Sequence, residues 1–154
     1  MKKTIAIILA RTGSSRLKNK TLWKPFNNNL TLINFFIDRL KKCKKIDKIV
    51  LATTNKRKDK VLTKIAKKLK IDFYTGSEDD VLERYYQTCK EYKLEKFYII
   101  YGDEPFTDME TVKENFELLK DGTPMRIKND SLPEGTYGYG MNFKGIEYLN
   151  KNKL

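Results

Sequence analysis

Arg11, Arg16 and Lys20 surround the small-residue run Thr12-Gly13-Ser14-Ser15, and much further along the chain Asp103 and Glu104 follow Gly102. Fixed cations around such a turn suit a polyphosphate. Glycine permits backbone angles that side-chained residues resist, serines keep the loop small, and successive amides can converge into an anion-binding concavity. The same kind of turn is also common after strands that bind nothing, its basic residues merely solvated. Asp103 offers a hard oxygen donor, and Mg²⁺ typically takes only one or two protein carboxylates together with substrate phosphates. The alternative is an ordinary turn aspartate, with Glu104 facing solvent. Histidine is absent from the chain. That removes most Ser-His and Cys-His nucleophile schemes and the commonest general base. Chemistry that works by positioning and charge neutralisation remains, and nucleotidyl transfer is of that kind.

These groups need a scaffold that brings them to one place. Ile5 through Ala10 is an apolar run without polar alternation, as in a central strand of a parallel sheet, and open α/β sheets bind ligands beyond the carboxyl ends of such strands. Lys96-Phe97-Tyr98-Ile99-Ile100-Tyr101 reads as a second buried strand, leading to Asp103. Leu32, Ile33, Phe36, Ile37 and Leu40 recur at helical spacing, as do Val61, Leu62, Ile65, Ala66 and Leu69. Between these helices Lys48–Thr53 predicts a strand ending in Thr53-Thr54-Asn55, a group that would also make a good helix cap. Ile71–Thr75 predicts a short strand that Gly76 breaks, and Ser77 with Asp80 forms a capping-box-like start to a helix with Val81, Leu82, Tyr85, Cys89 and Tyr92 inward. Arg84 is open between substrate contact and pairing with a neighbouring carboxylate. Asp108 reads as the cap of a helix burying Val112, Phe116 and Leu119. Further on, 124–128 and 136–143 read as strands and 145–151 as a final helix.

The run Leu9-Ala10-Arg11-Thr12-Gly13-Ser14-Ser15-Arg16-Leu17 followed by Lys20 resembles the signature loop of the cytidylyltransferases that activate acidic sugars, the acylneuraminate and 3-deoxy-manno-octulosonate enzymes among them. It most resembles their spore-coat polysaccharide (SpsF-like) members. Ala52-Thr53-Thr54-Asn55, Gly76 through Tyr86, and Gly102-Asp103-Glu104-Pro105 fit in the same order, and the resemblance covers about residues 4 to 120. It implies one three-layer, Rossmann-like α/β domain over residues 1–154, with a mainly parallel sheet of the nucleotide-diphospho-sugar transferase type. The implied reaction is Mg²⁺-dependent transfer of CMP from CTP to a sugar acid or sugar phosphate for surface polysaccharide synthesis, releasing pyrophosphate. Arg11, Arg16 and Lys20 would neutralise the triphosphate beside Leu9 and Ala10, and Gly13 and Ser14 would donate hydrogen bonds. Asp103 would hold Mg²⁺, and Thr53, Thr54, Asn55, Gly76 and Ser77 would line the base and ribose side. From residue 122 the match thins. Tyr137 and Tyr139 stand where SpsF-like members place acidic residues that help bind metal or acceptor, and relatives continue beyond this length into sheet-completing and dimer-forming segments. A homodimer is therefore a candidate assembly, and a nucleotide-binding remnant without transfer is an alternative activity.

At 154 residues and 40% hydrophobic content the chain can build one domain with a real core. No apolar run approaches the ~20 residues that cross a bilayer. Met1-Lys2-Lys3-Thr4 shows no cleavable signal pattern, so the expectation is a cytoplasmic protein without membrane contact. Cys43 and Cys89 form no C-x-x-C pair and read as reduced thiols on helix faces. A formal charge of +12 raises the alternative of a basic nucleic-acid-binding protein. The excess is carried mainly by lysines on predicted helix surfaces, such as Lys41-Lys42-Cys43-Lys44-Lys45, which reads instead as solvated faces.

Overall fold

The computed structural model describes residues 4–14, 17–26, 29–44, 46–109, 133 and 135–153. Arg16, the helix expected around Val112, Phe116 and Leu119, and the strand expected over 124–128 lie outside the described residues.

β1 (Ile5–Leu9), β2 (Lys48–Thr54), β3 (Asp72–Gly76), β4 (Lys96–Tyr101) and β5 (Tyr139–Asn142) form one sheet in the order β3-β2-β1-β4-β5. The first four run parallel, with Ile7 opposite both Val50 and Ile99. β5 closes the far edge antiparallel to β4. α1 (Leu32–Lys42) and α2 (Lys60–Lys68) cover one face, α3 (Val81–Glu91) and α4 (Phe143–Lys151) the other. The doubly covered sheet explains the apolar runs: Ala6 and Ile8 of β1 meet Ile33, Phe36 and Leu40 of α1, while Ile7 between them meets the cluster of Tyr85, Cys89 and Ile146. Alternate residues thus enter two cores, and each fully buried aliphatic side chain contributes about 1.5–3 kcal/mol.

The parallel, three-layer α/β reading matches this architecture; the strand expected over 136–143 is β5, shorter at Tyr139–Asn142, and its antiparallel direction is what spacing did not reveal. Local boundaries differ where side chains choose among partners. β3 continues through Gly76 rather than breaking there. α3 is capped by Asp80, which accepts from Glu83 N at 2.8 Å, and Ser77 Oγ instead accepts from Asp80 N at 2.9 Å in the turn before it. Phe143 opens α4 instead of closing β5, because Asn142 caps the helix by accepting from Gly145 N at 2.8 Å. Thr53-Thr54-Asn55 cap no helix; a short 3-10 turn over Arg57–Asp59 intervenes before α2. Cys89 is buried on α3 and Cys43 is half-buried just past α1; both are free thiols.

β1 connects through α1 to β2 on one side of the sheet, whereas the chain crosses through α3 to place β4 on the other side of β1. The loops after β1 and β4 therefore diverge, and a crevice opens between them at the carboxyl edge. Among the described residues, no helix is long and apolar enough to cross a membrane.

Candidate functional site

The cationic loop is held from below by one buried carboxylate. Asp59, fully buried, accepts hydrogen bonds from Thr12 N at 2.7 Å, from Thr12 Oγ1 at 2.5 Å and from Thr54 Oγ1. Thr12 O in turn accepts from Ser14 N at 3.0 Å and Asn19 N at 3.2 Å, so the loop folds back over its own start. Asn19 adopts φ 56 at the return, and a 3-10 turn over Lys20–Leu22 then aims Lys20 back toward the sheet. Gly13 has no left-handed backbone among the described residues, contrary to the conformational role expected for it. A Cβ there would come within 2.6 Å of Lys58 Nζ, the far end of a flexible side chain that is ion-paired with Glu78 at 2.5 Å and would have to shift. That bond to Lys58 holds the Glu78 carboxyl below the usual range.

The acidic loop is fixed from the other side. Gly102 N donates to Leu9 O at 2.7 Å, and a Cβ on Gly102 would lie 2.9 Å from Ala10 Cβ and 3.1 Å from Ile33 Cδ1. Only glycine lets the ends of β1 and β4 approach this closely. Gly102→Ala is expected to cost about 1–3 kcal/mol through overpacking; a denaturation midpoint equal to wild type would disprove this. Beyond it, Arg39 of α1 donates to Pro105 O and, at 3.3 Å, to Thr107 O, clamping the loop that carries Asp103.

Between the two loops lies a cavity of about 400 Å³ lined by Leu9, Ala10, Arg11, Ser14, Lys20 and Asp103, with Thr21, Val81, Arg84 and Tyr101. Lys20 Nζ and Asp103 Oδ2 form an ion pair across its mouth. Their side chains retain 27% and 33% exposure, so the pair contributes at most about 1 kcal/mol. It is easily exchanged for a ligand.

The structure thus brings Leu9, Ala10, Arg11, Ser14, Lys20 and Asp103 to one cavity. Thr53 is fully buried and its hydroxyl has no hydrogen-bond partner among the described residues, but it is not among the cavity's lining residues. Thr54 is occupied by Asp59, and Asn55 is exposed, its N–H donating to Gly76 O at 2.9 Å. Gly76 and Ser77 stand beside the cavity, behind Arg84, whose Nη1 donates to Ser77 O. Asp59 and Arg39 are positioning residues that sequence reasoning missed. Asp59 sits in a run of lysine and arginine and reads as surface charge, and only the tertiary contact with Thr12 distinguishes it.

Asp103 supplies an oxygen donor at the cavity mouth next to the Arg11 and Lys20 cations, an arrangement that would fit Mg²⁺ if phosphates of a ligand completed the coordination. Among the described residues no group of three or more His, Cys, Asp or Glu could hold a metal by itself, so such an ion would depend on the ligand.

The Cytidylyltransferase family model matches residues 5–143. The chain is similar to uncharacterized protein MJ1063 of Methanocaldococcus jannaschii, at 35% identity over 97% of this chain and 61% of that protein. It is also similar to the spore coat polysaccharide biosynthesis protein SpsF of Bacillus subtilis, at 32% identity over 71% of this chain and 47% of that protein. A cytidylyltransferase structure from Leptospira borgpetersenii superposes with a TM-score of 0.86 at 25% identity, over 100% of this chain and 66% of that one. The CMP:2-keto-3-deoxy-manno-octonic acid synthetase solved with CTP shares the fold, with a TM-score of 0.62 at 19% identity over 75% of this chain and 46% of that one. The chain spans less than two thirds of the length of each of these relatives. Its cleft at the sheet's switch point accords with the family match over residues 5–143, which shows that the chain belongs to the cytidylyltransferase family.

Proposed function

We propose that this chain binds CTP with Mg²⁺ in the cleft between the β1 and β4 loops and transfers CMP to a sugar acid or sugar phosphate, releasing pyrophosphate. The observation that carries the reading is the convergence of Arg11, Ser14, Lys20 and Asp103 on one cavity from loops separated by most of the chain. Arg11 and Lys20, with Arg16, bind the triphosphate and offset the charge that develops on departing pyrophosphate. Ser14 orients a phosphate oxygen, and Leu9, Ala10 and Tyr101 form the dry wall that strengthens these interactions. Asp103 would hold Mg²⁺, which when bound supplies charge neutralisation at the phosphates. Thr54 contributes through Asp59, and Gly76 and Ser77 stand on the base side. The direct test is incubation with each nucleoside triphosphate, Mg²⁺ and a panel of sugar acids and sugar phosphates, following pyrophosphate release. CTP-dependent release is expected; release driven equally by ATP or GTP would remove the cytidine assignment.

A nucleotide-binding domain without transfer is favoured over an enzyme by one feature. Tyr137, buried, and Tyr139 of β5 stand where the resembling SpsF-like members carry acidic residues. Saturable CTP binding with no pyrophosphate release for any acceptor would select this reading.

The basic helix surfaces make a separate prediction. Lys41, Lys42 and Lys44 are exposed at the carboxyl end of α1, which leads to the amino edge of the sheet, opposite the cavity. Changing all three to glutamate is expected to leave CTP affinity within about twofold, because charges more than a Debye length of ~8 Å apart are screened in physiological salt. Tight, sequence-preferring nucleic-acid binding that disappears in this variant would instead favour the nucleic-acid reading.

A further inference from the structure

Arg84, on α3, is only 1% exposed and heads the largest fully buried side chains of the described residues. Its Nη1 donates to Ser77 O, yet its Nε is buried with no hydrogen-bond partner among the described residues. Among the described residues no carboxylate lies within ion-pair distance of its guanidinium. The fold nevertheless makes room for it: a Cβ on Gly76 would come 3.2 Å from Arg84 Cγ and 2.8 Å from the Tyr74 ring. Arg84 lines the same cavity as Arg11, Ser14, Lys20 and Asp103.

A desolvated cation without an ion-pair partner is costly for a core to hold, and strongly perturbed charges cluster where a ligand completes them. Burial is the main influence drawing the Arg84 pKa below its ordinary value, and the neighbouring Arg11 charge adds to it, while Tyr85, Asp59 and Glu78 oppose. Both influences are relieved by one anion placed between Arg84 and Arg11. The free Nε belongs to the planar donor fork that matches phosphate or carboxylate oxygens.

We propose that Arg84 is a substrate-binding residue whose buried guanidinium, together with Arg11, takes an oxyanion of the ligand that fills the cavity. The oxyanion is a phosphate of the nucleotide or the carboxylate or phosphate of the acceptor. The inference rests on the reading of the cavity as the substrate site and adds the anchor at its floor, reached from α3 rather than from either loop.

The test compares wild type, Arg84→Met and Arg84→Lys by calorimetric titration with Mg²⁺-CTP and with Mg²⁺-pyrophosphate, and by thermal melting without ligand. Arg84→Met is expected to melt at or above the wild-type temperature, since it removes an uncompensated charge. It is expected to bind pyrophosphate or CTP about tenfold or more weakly, the loss of a charge-assisted hydrogen bond. Arg84→Lys keeps the charge, loses the fork, and is expected to bind between the two. Unchanged CTP and pyrophosphate affinity with an acceptor KM raised about tenfold in the pyrophosphate-release assay also supports the proposal and assigns the oxyanion to the acceptor.

Unchanged affinities and unchanged acceptor KM in the Met variant overturn it. So does a Met variant too unstable to titrate combined with a Lys variant that binds as wild type, which would make Arg84 structural. Arg84-dependent pyrophosphate binding by a wild-type protein that ignores CTP would keep this inference and remove the cytidylyl reading. CTP turnover indifferent to Arg84 would do the opposite, and a wild type that binds neither probe would remove both.

Discussion

Asp103→Asn is expected to abolish the gain in CTP affinity that Mg²⁺ confers, while affinity in chelator stays the same or rises slightly. The sign of the second effect comes from the ion pair across the cavity mouth. In the free protein Asp103 occupies Lys20, so removing its charge releases Lys20 for a phosphate and removes a repulsive carboxylate. The exposed pair is worth no more than about 1 kcal/mol, which limits the gain in chelator to roughly fivefold. The loss with Mg²⁺ is larger. Even outer partners of a metal site cost about 10-fold to 100-fold in metal affinity when mutated, and Asp103 would be a direct ligand. Lys20→Ala should weaken CTP binding with or without metal. The double variant should be non-additive in Mg²⁺, because residues that share one ligand couple. Calorimetry across the four proteins checks this; intact Mg²⁺ dependence in Asp103→Asn, or strict additivity, would show that the two loops do not hold one triphosphate.

Asp59→Ala is expected to be the most destabilising single change near the site. Three donors converge on that fully buried carboxylate, and its removal leaves Thr12 N–H buried without a partner. Hydrogen bonds to a charged group are each worth about 1.5–3 kcal/mol net, so a loss of about 3 kcal/mol or more is expected. For a domain of this size that lowers the melting temperature by roughly 6–12 °C. CTP affinity should fall in the same variant even below its transition, since the loop carrying Arg11 and Ser14 loses its attachment to β2. Asp59→Asn, which can still accept from Thr12 N, should recover part of both. A melting temperature unchanged in Asp59→Ala would refute the attachment, and lowered stability with unaltered CTP affinity would show that the loop keeps its shape without it.

The unbroken apolar runs of Ile5–Ala10 and Phe97–Tyr101 and the helical spacing within Leu32–Leu40 determined by themselves which segments become buried strands and a one-faced helix, because desolvation of those side chains dominates local alternatives. The family motifs likewise placed Arg11, Ser14, Lys20 and Asp103 as a set before any geometry. Partners far apart in the chain were not legible. Asp59 and Thr12 are 47 residues apart, Arg39 and Pro105 are 66 apart, and Lys20 and Asp103 are 83 apart. A charged side chain shows its type in sequence but not its solvent, so Asp59 among lysines looked like a surface group and Arg84 stayed open between a substrate contact and a carboxylate partner. The desolvation of Asp59 follows only from its tertiary contacts with Thr12 and Thr54, and that of Arg84 from the packing of α3 beside Gly76 and Ser77. The antiparallel entry of β5 had the same origin, since a strand of four residues carries too little local pattern and takes its direction from the edge of β4 that it completes.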